Sequence, residues 1–144
     1  MGPVGRNFAL TMLRLHRERE QLGVVADQVG CPTSTLTLAC ACWRLIEMAP
    51  NPLPSVLHWS DAGAASWYDV SVAVGELGQE IGLLDQPARV NAIATDHYPT
   101  AARRPQYSLL DCVATRALLN LQGEHWRATL HQVLKAIATE TSNP

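Results

Sequence analysis

Lysine is almost missing from this sequence: Lys135 is the only one in 144 residues, and Phe8 is the only phenylalanine. Eleven Lys and Arg stand against thirteen Asp and Glu, a formal net charge of −2. A dedicated nucleic-acid binder carries a basic stripe, so no nucleic-acid partner is expected. No apolar run approaches the roughly 18 residues of a membrane span, and no charged-then-apolar leader precedes the first helical stretch. A soluble, cytoplasmic protein with no membrane partner is expected. Cys31, Cys40, Cys42 and Cys112 include no C-x-x-C pair, and the five histidines form no H-E-x-x-H pair. Cys40 and Cys42 lie two apart on an expected helix and so face different ways. Neither a metal site nor a disulfide framework is expected, and buried free thiols suit the pattern. Repeats and low-complexity tracts are absent too.

What the sequence does have is 47% hydrophobic residues, enough over this length to bury the core of one domain, 1–144. Its most distinctive stretch is Tyr98-Pro99-Thr100-Ala101-Ala102-Arg103-Arg104-Pro105-Gln106-Tyr107. Pro99 and Pro105 disfavour helix, which leaves two adjacent guanidiniums on a stiffened loop. Each offers a rigid donor fork that suits a phosphate or diphosphate. A solvated basic loop packed by its tyrosines is the plain alternative.

Apolar Phe8, Met12 and Leu15 predict a helix over 7–21, stopped by Gly23. Val24-Val25-Ala26 reads as a buried strand. Asp27 and Gln28 follow its carboxyl end, where ligand groups collect in parallel α/β sheets, and where an Asp also serves ordinary turn chemistry. After a turn at Gly30-Cys31-Pro32-Thr33, Ser34 or Thr35 caps a helix that reaches Met48. Asn51-Pro52-Leu53-Pro54 is a linker, and Val56-Leu57-His58-Trp59 reads as a second strand.

Ser66-Trp67-Tyr68-Asp69 is a capping box, opening a helix with Val70, Val74, Leu77 and Ile81 on one face. Gly75, Gly78 and Gly82 fall inside that pattern with no strand before them. They predict close helix packing and not a nucleotide-binding turn. Residues 89–95 alternate as a third strand, and a short helix over 115–121 ends near Gly123. Trp126, Leu130, Val133, Leu134 and Ile137 make the last helix, with a polar, frayed tail from Thr139. This alternation predicts an α/β fold. Three short strands make a meagre sheet, and Val24-Val25-Ala26 looks made for the middle of a larger one.

Several stretches together resemble one family. Asn7-Phe8-Ala9-Leu10-Thr11-Met12-Leu13-Arg14-Leu15 and Val24-Val25-Ala26-Asp27-Gln28-Val29-Gly30-Cys31-Pro32-Thr33 resemble a helix, strand and turn of the dTDP-4-dehydrorhamnose reductases. Asp61-Ala62-Gly63-Ala64-Ala65-Ser66-Trp67-Tyr68-Asp69 and Tyr98-Pro99-Thr100-Ala101-Ala102-Arg103-Arg104-Pro105 are closer still. Leu110-Asp111-Cys112 and His125-Trp126-Arg127 also fit. The chain departs from the family at Ser34-Thr35-Leu36-Thr37, where an aromatic residue and an Asp are usual before Leu-Ala. Arg6 likewise precedes Asn7 where a small or polar residue is commoner.

That family belongs to the extended short-chain dehydrogenase/reductases. The resemblance implies the C-terminal portion of such a fold, an incomplete Rossmann-type sheet plus a small helical substrate-binding subdomain. Complete members use NADPH or NADH to reduce dTDP-6-deoxy-L-lyxo-4-hexulose to dTDP-L-rhamnose. Their N-terminal half carries the dinucleotide-binding glycines and a Tyr-x-x-x-Lys pair. Here His131 stands four residues before Lys135, so no such pair exists. No NADP(H) or NAD(H) is expected to bind this chain alone, and no catalysis is expected from it alone.

By resemblance, Asn7 meets the sugar or its diphosphate, and Asp27, Gln28 and Thr33 shape the pocket beside it. Trp67 lines or supports the sugar end, and Arg103 and Arg104 lie near the diphosphate or fix the loop around it. Arg103→Ala is then expected to weaken binding of a dTDP-sugar in a complete protein. Other partners implied are a separate cofactor-binding half or a second copy in a homodimer. The competing readings are a non-catalytic nucleotide-sugar-binding or regulatory subunit of the same fold, and a small helical scaffold without ligand.

Overall fold

The computed structural model describes residues 1–48 and 52–142. Helix α1 (Phe8–Glu18) starts where the Asn7 side chain accepts from the Leu10 amide at 3.2 Å. It ends sooner than its apolar period predicts. Arg19 is already extended, and the Glu20 carbonyl accepts the Arg89 amide at 2.8 Å, opening the sheet. Gly23 is therefore no helix stop. It lies inside strand β1 (Gln21–Val25), whose Leu22 and Val24 alternate into the core. A helical continuation would have turned those two side chains away from a common face.

Strand β1 pairs in parallel with β4 (Arg89–Ile93), from Gln21↔Arg89 to Val25↔Ile93. Among the described residues this is the whole parallel sheet. A second, antiparallel pair joins β2 (Val29–Gly30) to β3 (Ala65–Ser66). Two residues carry no readable period, which is why neither strand is visible in the sequence. Helices α2 (Thr35–Met48), α3 (Trp67–Glu80), α4 (Val113–Leu119) and α5 (Trp126–Ser142) complete the fold. The order is α1-β1-β2-α2-β3-α3-β4-α4-α5, with a single 3₁₀ turn at Thr95–His97 after β4.

Helices α1, α3 and α5 supply the core over one face of the parallel pair. Ala9, Met12 and Leu13 meet Val70, Ala73, Val74 and Leu77, while Trp126, Leu130 and Leu134 close it from α5. Buried His16 ties these layers. Its Nδ1 accepts the Ala88 amide at 3.1 Å, and its Nε2 donates to the Ser71 carbonyl at 2.9 Å.

The expected strand Val56-Leu57-His58-Trp59 does not form. Pro52 and Pro54 remove donors just before it, and no described strand lies alongside. The His58 amide instead finds the Thr115 hydroxyl at 3.2 Å. Asn51 of the expected linker lies outside the described residues.

Two of the three glycines expected in α3, Gly75 and Gly78, pack as predicted. A Cβ on Gly75 would meet His16 and Pro87, and one on Gly78 would meet Leu84 and Leu13. Gly82 does not: with φ +76° it stands past the helix end, where the Leu83 amide returns to the Gly78 carbonyl at 2.8 Å. Helix α4 stops at Asn120 (φ 50°) and not near Gly123. The tail from Thr139 is helical to Ser142, with the Thr139 hydroxyl on the Lys135 carbonyl at 3.0 Å. Cys112 is buried and Cys31 half-buried, but Cys40 and Cys42 are exposed. That corrects the expectation of four buried thiols, because α2 seats itself largely through Ala41.

Gly63 has φ +94°, and a Cβ there would stand 2.8 Å from His125 Nε2 and 2.9 Å from Trp126 Cδ1. Trp126 is a core residue and cannot yield freely. Gly63→Ala is expected to cost about 1–2 kcal/mol, read as a lowered midpoint in urea with an unchanged slope.

Candidate functional site

The parallel register brings the carboxyl ends of β1 and β4 side by side. Asp27 stands two residues past Val25 and Thr95 two past Ile93, and those strand ends are partners. Asp27 Oδ1 and Oδ2 accept the Thr95 amide at 3.0 and 3.1 Å, and Oδ1 accepts the Thr95 hydroxyl at 2.6 Å. These bonds favour the charged form and hold the Asp27 carboxyl below its ordinary value. Gln28 Nε2 donates to Thr95 Oγ1 at 3.0 Å, and Trp67 Nε1 donates to Gln28 Oε1 at 3.2 Å.

Trp67 is placed by the capping box at the start of α3. The Ser66 hydroxyl accepts the Asp69 amide at 3.1 Å, and Asp69 Oδ2 accepts the Ser66 amide at 2.8 Å. With the helix start fixed, the indole projects beside α1, where the Phe8 ring meets it at 4.7 Å between centroids, tilted by 56°.

The arginine loop is tied to the same place through backbone. The Val29 amide donates to the Gln106 carbonyl at 2.8 Å, and the Ser108 amide donates to the Val29 carbonyl at 2.9 Å. No described protein group accepts from either Arg103 or Arg104, and both are exposed. Arg14, Arg17, Arg44, Arg116 and Arg127, by contrast, all bind acceptors within the fold.

Two cavities adjoin here. The first, about 350 Å³, lies between the β2/β3 pair and the arginine loop, and Arg104 is the only charged residue among those lining it. The second, about 490 Å³, has an apolar floor of Phe8, Met12, Leu15, Leu22 and Val24. Its charged lining is Arg19 and Arg104, with no carboxylate among the described residues. Gln28, Trp67 and Arg104 line both. A pair of pockets of this size, with aromatic and amide walls and uncompensated positive charge, suits an anionic ligand with a polar, ring-shaped end.

Three of the seven residues expected at a site thus converge. Asp27 stands behind them, with Thr95 as its contact. Asn7 spends its side chain on capping α1 and on the Gly2 carbonyl at 2.9 Å. Thr33 donates to the Cys31 carbonyl at 3.2 Å. Neither of these, nor Arg103, lines either cavity. Sequence reasoning missed Thr95, Phe8 and Arg19. Thr95 closes the third expected strand as Asp27 follows the first, but only the structure shows that these two strands pair.

The glycines of α3 form no dinucleotide-binding turn. The paired glycines of α3 are taken up by packing against His16, Pro87, Leu84 and Leu13. Among the described residues no three His, Cys, Asp or Glu side chains are placed to hold a metal, and no helix is long and apolar enough to cross a membrane.

The lowered Asp27 pKa has a consequence for stability. The folded chain prefers the carboxylate, so Asp27 stabilises the fold fully above its unfolded value of about 4. That contribution is lost as the pH falls through the lower folded value. Asp27→Asn is expected to flatten this acid limb in a plot of melting temperature against pH, leaving the curve above pH 5 parallel to that of the parent.

A family model described as the RmlD substrate binding domain matches residues 1–139. The dTDP-4-dehydrorhamnose reductase of Escherichia coli (strain K12) is 35% identical over 140 residues, covering 96% of this chain and 47% of that protein. The spore coat polysaccharide biosynthesis protein SpsK of Bacillus subtilis (strain 168) is 35% identical over 135 residues, covering 93% and 44%. Among solved structures, dTDP-4-dehydrorhamnose reductase from Bacillus anthracis in complex with NADP superimposes with a TM-score of 0.83 at 29% identity, covering 94% of this chain and 45% of that one. The chain spans about half the length of the curated relatives it matches.

Proposed function

Because the chain belongs to the RmlD substrate binding domain family, we propose that it is the nucleotide-sugar-binding half of a dTDP-4-dehydrorhamnose reductase. The observation that carries this reading is the convergence of Gln28, Trp67 and Arg104 on two adjoining cavities, with Gln28 just past the carboxyl end of β1. In this reading Arg104 takes a diphosphate oxygen pair, while the Gln28 amide and the Trp67 ring bound the sugar. Asn7, Asp27 and Thr33 shape the pocket from behind by fixing α1, the strand end and the turn. Arg103 supports the loop.

Reduction of the 4-keto sugar needs a hydride donor and a proton donor to the alkoxide. Both are assigned to residues other than these, with NADPH or NADH bound elsewhere in the complete enzyme. Strand β1 supports that assignment. Its only described partner is β4, so its other edge is unpaired among the described residues. An unpaired strand edge of this kind is a place for a further strand, supplied by a cofactor-binding half or a second copy. The cytoplasm is the compartment that fits such a biosynthetic role.

The test is calorimetric titration of the 144-residue chain with dTDP-L-rhamnose, alongside NADPH oxidation in the presence of the 4-keto sugar. A dissociation constant of about 10⁻⁴ M or tighter with no NADPH oxidation is the expected result. No binding of dTDP-L-rhamnose, or turnover by the chain alone, would overturn it.

A further inference from the structure

We propose that Thr95 is a positioning residue that sets the Gln28 amide and the Trp67 indole as the wall between the two cavities. The proposal deepens the nucleotide-sugar reading above and rests on it for its ligand. Its basis is the direction of the hydrogen-bond chain. An indole N–H only donates and a carboxylate only accepts. Between them the chain Trp67→Gln28→Thr95→Asp27 has one polarity, at 3.2, 3.0 and 2.6 Å. The Gln28 amide therefore has one orientation, with its oxygen toward the indole and its nitrogen toward the hydroxyl.

Thr95 is the member that makes this work, because its hydroxyl both accepts from Gln28 and donates to Asp27. Its own amide is pinned by both Asp27 oxygens, so the hydroxyl cannot wander. Gln28 is left with one N–H and one lone pair unspent, on an amide that lines both cavities. Those two groups, held in a fixed order, read a donor and an acceptor on a sugar ring. The Phe8 ring also meets the indole, so Trp67 has a contact on α1 as well as its hydrogen bond at the strand end.

The measurement is a ¹H–¹⁵N spectrum of the ligand-free chain, with the Trp67 indole signal identified by Trp67→Phe. Thr95→Val keeps the shape and removes the hydroxyl. It is expected to move the Trp67 indole and the Gln28 side-chain amide signals, and Thr95→Ser is expected to restore both. Thr95→Val is further expected to weaken dTDP-L-rhamnose binding about tenfold, with Thr95→Ser within about twofold of the parent. Thr95→Ala removes the same hydroxyl and takes its place if the valine variant does not fold.

Signals that stay in place in the valine and alanine variants would overturn the proposal. So would movement that serine fails to reverse. A parent chain that binds no dTDP-sugar, while the signals move and return as stated, would sink the ligand reading and leave the positioning role standing.

Discussion

Asp61→Ala is expected to lower the stability of the chain by about 3–4 kcal/mol. Asp61 is 1% exposed, and its carboxylate joins elements distant in sequence. Oδ2 accepts the Ser34 amide at 2.9 Å and the Thr129 hydroxyl at 2.7 Å, while Oδ1 accepts the Thr37 hydroxyl at 2.5 Å. Alanine leaves the buried Ser34 amide with no acceptor, a loss of about 1–3 kcal/mol by itself. The two hydroxyls lose less. Thr129 has the Trp126 carbonyl at 3.0 Å and Thr37 the Ser34 carbonyl at 3.0 Å to fall back on.

A second contribution is electrostatic. Helix α2 has no acidic residue in its first turn, and Asp61 supplies the negative charge there from outside the helix. Such a charge contributes about 0.3–2 kcal/mol, more when shielded from water. The melting temperature should fall by roughly 10 °C, with amide exchange in α2 rising most. Asp61→Asn should lose less, since its amide oxygen still accepts from Ser34. A melting temperature within about 2 °C of the parent in Asp61→Ala would refute the role.

Arg104→Ala should leave stability alone and strike binding. The guanidinium is exposed and binds no described protein group, so its loss should shift the melting temperature by under about 1 °C. If a diphosphate meets this fork, affinity for dTDP-L-rhamnose should drop about 10- to 100-fold, as expected for one charge-assisted bidentate contact. Arg104→Lys keeps the charge without the fork and should recover only part of that loss. Arg103→Ala should weaken binding less, since Arg103 lines neither cavity. Calorimetry on the three variants at two salt concentrations separates these cases. Equal affinity in parent and Arg104→Ala would remove the arginine from the site.

Much of this was legible in the order of residues. The Ser66–Asp69 capping box formed as its spacing requires, because all of its atoms lie within one turn. The apolar face of α3 and the buried residues of α5 followed their helical period. The run of family motifs from Asn7 to Arg127 pointed to the substrate-binding half of a reductase, and the family model covers the same span. Local signals failed where two local outcomes compete. Gly23 reads equally as a helix stop and a strand residue, and only its pairing beside Asn91 decides. Val56-Leu57-His58-Trp59 has a strand's composition and no strand to pair with.

The sequence by itself determined which helices form, where the proline-stiffened arginine loop lies, and to which family the chain belongs. Each of these depends on residues close along the chain, or on their order. Only the tertiary structure decided which residues make the site. Trp67 reaches Gln28 across 39 positions, Thr95 reaches Asp27 across 68, and Asp61 gathers Ser34 and Thr129 from 27 and 68 positions away. A hydrogen bond between distant residues depends on the register in which strands and helices meet. That register is a property of the packed core, and no stretch of the sequence states it.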